Sequence, residues 1–149
     1  MRRKRLGKWI LLCMLALGWA ALLFFFAGQT KDDSSALSFT VSKMILRAFP
    51  SLPISAWDLD PIIRKLAHFC MFAAEGFLVG LASMAILSDR TGSIVSLTCC
   101  AGIAVLNEYS QNFAVGRSCK PIDMLIDFAG AALGVLLAAL ARRLFRGKN

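Results

Sequence analysis

The chain is poor in the residues that soluble chemistry usually relies on. Its 149 residues include one histidine and no HExxH motif, so no metal centre is expected, a zinc site of His68 with carboxylates included. Charged residues make up 17%, below the ~25% of an ordinary soluble domain. Acids are scarcer still, nine against 17 Lys and Arg, for a net charge of +8. That excess does not point to nucleic acid, because no motif or folded basic face for it is legible. Five cysteines form no pattern. Cys13, Cys70, Cys99 and Cys100 lie in apolar runs, where a thiol acts as a small hydrophobe, and Cys119 lies in a loop without an evident partner. The odd count and the lack of zinc spacing argue against a disulfide framework or a metal ribbon. There is no internal repeat, no low-complexity tail and no sign of a cofactor.

What the chain has instead is apolar length. It is 58% hydrophobic, with a mean hydropathy of +0.66. Residues 9–28 carry no charge, and at ~1.5 Å per residue they cross a ~30 Å hydrocarbon core. Segments 62–87, 91–108 and 122–141 complete an expected all-α bundle of four transmembrane helices in a single domain, 1–149. The basic start "RRKRLGK" resembles a signal-peptide n-region, but the apolar run is longer than a typical h-region and Phe25 spoils a cleavage site, so an uncleaved anchor is expected. Arg2, Arg3, Lys4, Arg5, Lys8, Arg90, Arg142, Arg143, Arg146 and Lys148 gather on one side, with Asp89 as the only acid there. The positive-inside rule then puts both termini in the cytoplasm and residues 29–62 and 107–121 outside.

Between the first and second spans, Leu37, Val41, Met44, Ile45 and Ala48 recur at helical spacing, predicting a short amphipathic helix on the outer face. Pro50 and Pro53 end it, Trp57 is a candidate interfacial anchor, and Asp60 followed by Pro61 reads as the N-cap and first turn of the second span. "SDRTG" (88–92) reads as a tight inner hairpin, and Gly116 and Pro121 break the chain in the second outer loop.

The informative feature is charge inside this apolar frame. Arg64, His68 and Glu75 fall within about 40° on a helical wheel, and so do Asp123 and Asp127, with Gly130 and Gly134 on the same side as those acids. Glu108 and Gln111 share the outer end of the third span. Glu75 lies roughly 12 Å below its helix end, too deep for a short side chain to reach water. A charge at mid-membrane costs ~2.5–3.5 kcal/mol on insertion scales, so these groups are expected to face one another in the outer half of the bundle. Arg64 and Lys65 also stand in a first turn, where the helix dipole is already positive. They need an anion there: Asp58, Asp60, Glu108, Asp123 or a ligand. A plainer explanation, ion pairs that only lock helix packing, applies to Arg64, Glu108, Arg117 and Asp123. Likewise Gly76-x-x-x-Gly80 and Gly130-x-x-x-Gly134 read as close helix contacts.

Together, "RKLAHF" (64–69), "NEYSQNFAVGRSCKPIDMLIDFAGAALG" (107–134) and "FFFAGQTKDDSSALS" (24–38) resemble the VanZ-like family, whose namesake is an accessory teicoplanin-resistance protein. The resemblance marks Gln29, Arg64, Lys65, His68, Glu108, Gln111, Arg117, Asp123, Asp127 and Gly130. This sequence departs from the pattern at Asn107, where the family often has aspartate, and at Val115, where it often has proline. Asn107 argues against any scheme needing two adjacent carboxylates. The family's acid nearest the histidine also stands closer than Glu75. The resemblance implies a small multi-pass protein of the bacterial cytoplasmic membrane, tied to the cell envelope.

Three functions follow as expectations. In the first, Arg64, Lys65, Arg117, Gln111 and Gln29 bind an anionic group at the outer leaflet, on a membrane lipid, a lipid-linked wall precursor or a glycopeptide, with Glu75, Asp127 and Gly130 in support. In the second, an enzyme acts on such a substrate with His68 as base or nucleophile and Glu108 or Asp123 as its orienter. In the third, a proton- or ion-coupled carrier uses His68, Glu75 and Asp127, and four spans would then call for a homo-oligomer.

Overall fold

The computed structural model describes residues 2–146 of the chain and the side chains of residues 6–144. Arg2, Arg3, Lys4, Arg5, Arg146 and Lys148, counted above for orientation, lie outside the described side chains. Five helices follow in order: α1 (Arg2–Ala27), α2 (Lys31–Ala48), α3 (Ala56–Ile86), α4 (Asp89–Gln111) and α5 (Pro121–Arg146). No strand occurs among the described residues. All but α2 are long and apolar enough to cross a membrane.

Local chemistry explains the helix starts. Thr30 accepts from the Asp33 amide and begins α2 six residues before its apolar stripe, so this helix runs 18 residues rather than a short segment. Ser55 accepts from the Asp58 amide and begins α3 at Ala56. The expectation of Asp60 as N-cap is therefore corrected: Pro61 lies within the helix, because the Ser55–Asp58 box captures the chain one turn earlier. Ser88 caps α4 through the Thr91 amide, so the hairpin is shorter than "SDRTG" and Arg90 is helical. Gly116 turns the α4–α5 connection with φ 75°, a conformation that favours glycine.

The bundle centres on α3, whose most extensive partner is α5. Their backbones touch. A Cβ on Gly130 would run into the Phe69 carbonyl, and one on Gly134 into the Ala73 carbonyl. Small residues at helical spacing permit this approach, which in lipid supplies the packing that the hydrophobic effect does not. Trp19 Nε1 donates to the Met71 carbonyl at 2.8 Å and ties α1 to α3. Arg142 pairs with Asp89 at 3.0 Å at the opposite end of the bundle from α2.

The face that α2 turns inward reverses a simple amphipathic reading. Ser38 and Ser42 are buried, while Leu37, Val41 and Met44 are exposed. Ser38 donates to Asp60, and Phe39 stacks on Trp57 at 4.5 Å between centroids. The serines are small, and Ser42 satisfies its hydroxyl on the Ser38 carbonyl while Ser38 gives its proton to Asp60, so this polar face can lie close against α3.

Candidate functional site

At the α2 end of the bundle, two cavities of about 260 Å³ each adjoin. The first is strongly cationic: Lys31, Arg64, Lys65, Arg117 and Lys120 line it with His68, Gln111 and Asp123. The second is apolar for most of its wall and runs between α1, α2 and α3, past Leu23, Phe26, Leu37, Val41 and Met71. Arg64, His68 and Arg117 border both. The outward stripe of α2 thus supplies one wall of the apolar groove.

The cations are held in different ways. Arg64 donates to Asp60 at 2.8 Å and to the Ser35 hydroxyl at 2.9 Å; because α3 begins at Ala56, it stands beyond the first turn in which the dipole was expected to act. Arg117 does not pair with Asp123. Its Nη1 donates to the carbonyls of Phe26 and Ala27 at 3.0 and 3.3 Å, capping the C-terminal end of α1. Burial pushes the Arg117 guanidinium below its ordinary pKa and Arg64 adds to this, while Glu108 and Asp123 oppose it. Lys31, Lys65 and Lys120 form no ion pair among the described residues, although all three face the cavity.

Beneath the cavity lining is an acidic floor: Glu108 and Asp127 are buried and border neither cavity, and of this cluster His68 alone lines them. His68 Nδ1 meets Asp127 Oδ1 at 3.1 Å, and Asp127 is fully buried. The sequence pointed to Glu108 or Asp123 as the orienter of His68, whereas the structure places Asp127 on it. Glu108, also fully buried, accepts from Gln111 Nε2 and from the Lys120 amide at 3.0 Å. One potential ligand atom from each of His68, Glu108 and Asp127 lies within 4.8 Å of the other two, although the lone histidine led us to expect no metal.

Of the remaining expected residues, Gln29 lines the apolar groove and Gly130 is a packing contact. Glu75 is buried and borders neither cavity, and its Oε2 has no partner. Sequence reasoning gave no site role to Lys31 or Lys120, and noted Asn107 only as a departure from the family pattern. Lys31 immediately follows the Thr30 cap, and Lys120 immediately precedes α5, so both stand at positive helix starts, whereas Arg64 lies about two turns into α3. Asn107 is buried with Oδ1 unpartnered on the groove wall; its signal was its adjacency to Glu108 on a helix otherwise apolar at that depth.

No curated protein and no solved structure matches the chain. The profile of one family, VanZ/LLP1, matches residues 11–142, which reaches into all five helices and takes in every residue of both cavities. The chain belongs to the VanZ/LLP1 family.

Proposed function

We propose that this protein binds an anionic lipid at the outer leaflet of the bacterial cytoplasmic membrane, in the envelope role that its family suggests. The observation that carries this reading is the continuity of a cationic cavity with an apolar groove at Arg64, His68 and Arg117. A phosphate head suits the first, where Arg64 and Arg117 offer forked donors and the unpaired lysines offer point charges. A hydrocarbon chain suits the second. Lipid phosphates and lipid-linked wall precursors share this chemistry. A link to glycopeptide susceptibility would follow from occupancy of such a precursor.

Binding to lipid nanodiscs or by native mass spectrometry tests the reading, with a polyprenyl phosphate, an anionic phospholipid, a zwitterionic phospholipid and inorganic phosphate as probes. Lys65→Gln with Lys120→Gln should weaken both anionic lipids by about tenfold or more, equivalent to ~1.4 kcal/mol. Melting should hardly move, since neither side chain has an ion-pair partner to lose. Val41→Trp, which fills the groove, should lower lipid affinity and spare inorganic phosphate. Equal binding of zwitterionic lipid, or no response to the double variant, would remove the proposal.

Orientation is part of the same reading. Both termini face the cytoplasm and the cavities face outward, by the positive-inside rule. With the other four cysteines replaced, Cys119 in intact cells should react with an impermeant maleimide. Reaction only after lysis would invert the topology.

The pairing of His68 with Asp127 favours a second reading, an enzyme on the same lipid phosphates. Asp127 would hold the ring through Nδ1, leaving Nε2 as base or nucleophile toward the cavity. Mass spectrometry of the lipids after incubation with the protein separates binding from turnover.

A further inference from the structure

The acidic floor buried beneath the cationic cavity carries more than an acid pair. His68 comes from α3, Glu108 from α4 and Asp127 from α5, and no other trio of histidine, cysteine or acid is so placed among the described residues. Glu108 and Asp127 are both fully buried. Two carboxylates brought this close in a low-dielectric interior repel each other, and one nearby imidazole offsets at most one of them.

A second observation points to a ligand. Asp127 Oδ1 engages His68, but its other oxygen, Oδ2, is buried with no hydrogen-bond partner. A buried carboxylate oxygen with nothing to bind forfeits its hydration without compensation. Asn107 Oδ1, beside Glu108 in sequence and on the groove wall with His68, is also buried and unpartnered. Glu108, by contrast, is steadied by Gln111 Nε2 and the Lys120 amide, as the carboxylates of metal sites are steadied by outer hydrogen bonds.

We infer that His68, Glu108 and Asp127 bind a divalent cation of the Zn²⁺ or Mn²⁺ class. One imidazole with two carboxylates suits these ions, whereas Mg²⁺ and Ca²⁺ prefer all-oxygen shells. Metal bonds of ~2.0–2.2 Å at a tetrahedral ion put donors ~3.3–3.6 Å apart, so a pair at the full 4.8 Å would draw in by about 1.5 Å or less. Three protein donors leave open positions on the ion for water or an anionic group, and His68 joins the site to the cavity that it lines. The cation balances the carboxylate charge that the floor holds away from water. This site is complete without any lipid, so it stands or falls separately from the lipid reading.

The test uses the full chain in detergent, stripped with a chelator, incubated with Zn²⁺, Mn²⁺ or Mg²⁺ and desalted. Elemental analysis should find about one Zn²⁺ or Mn²⁺ per chain and little Mg²⁺. Asp127→Asn and Glu108→Gln should each weaken binding by about tenfold or more, the usual scale for loss of a metal-site group, while Asp32→Asn on the exposed face of α2 should not. Because a floor variant can fail to fold, electron spin-echo spectra of the Mn²⁺-loaded wild type provide an independent readout. They should show modulation from one imidazole nitrogen. No retained metal, metal retained equally by all variants, or no nitrogen signal would each overturn the inference; the first outcome would leave a proton as the counter-charge of the floor.

Discussion

Gly134→Leu should leave little folded protein. A Cβ at this position would overlap the Ala73 carbonyl and press on the Phe77 amide, and both are backbone atoms that cannot swing aside. The remedy is separation of α3 from α5, the most extensive contact in the bundle and the one that brings Asp127 to His68. Overpacking a well-packed core costs ~1–3 kcal/mol, and more where backbone meets backbone, against total stabilities of ~5–15 kcal/mol. Gly102→Leu is the matched control, since nothing lies within 4 Å of a Cβ there. Size-exclusion profiles and thermal melts in detergent measure both variants. We expect loss of the monodisperse peak for Gly134→Leu and a melting point within about 2 °C of wild type for Gly102→Leu. A Gly134→Leu protein that melts like wild type would mean that α3 and α5 pack less closely than described.

The second large effect is expected at Arg117, where one side chain serves two purposes. Its Nη1 holds the last carbonyls of α1, which no helical amide can satisfy, and the rest of the guanidinium borders both cavities. A lysine at this position has a single ammonium. It can cap α1 or face an anion, but it lacks the planar fork that does both. Arg117→Lys should therefore lower the melting point by about 2–4 °C, equivalent to ~1 kcal/mol, while cutting anionic-lipid affinity by about tenfold or more. Asp123→Asn should leave the melting point almost unchanged, because Asp123 makes no ion pair with Arg117. It should alter lipid binding alone, through the charge it presents to the cavity. If lipid binding simply follows melting point across both variants, Arg117 is a strut for α1 and the anion-binding role assigned to it is lost.

The two variants also separate the family's motif into parts. The arginine of the G-R pair at 116–117 acts across the bundle on α1, and Gly116 supplies the φ 75° turn that aims it there. In the sequence, Arg117 and Asp123 looked like neighbours six residues apart. In the fold, the closer relation is between Arg117 and a helix end about 90 residues earlier.

Much of this protein was determined by the sequence alone. The four long apolar helices are legible because a bilayer demands that each span satisfy its own backbone bonds, which makes spanning a local property of composition and length. The helix starts at Thr30, Ser55 and Ser88 are local too, each a short side chain reaching an amide three residues on, although the Asp60–Pro61 pair masked the second of them. Periodicity placed Arg64 with His68 and Asp123 with Asp127 on shared faces, and the glycines of α5 beside them. Tertiary structure decided what each face meets. A helical wheel has no information on the rotation or axial shift of one helix against another, and a shift of one turn, ~5.4 Å, exchanges one acid for the next. So it was the close α3–α5 contact that gave His68 to Asp127, left Glu108 to Gln111 and Lys120, and left Glu75 Oε2 without a partner. The inward face of α2 was likewise settled by fit: small serines approach α3 closely, and the apolar stripe is left to wall the groove.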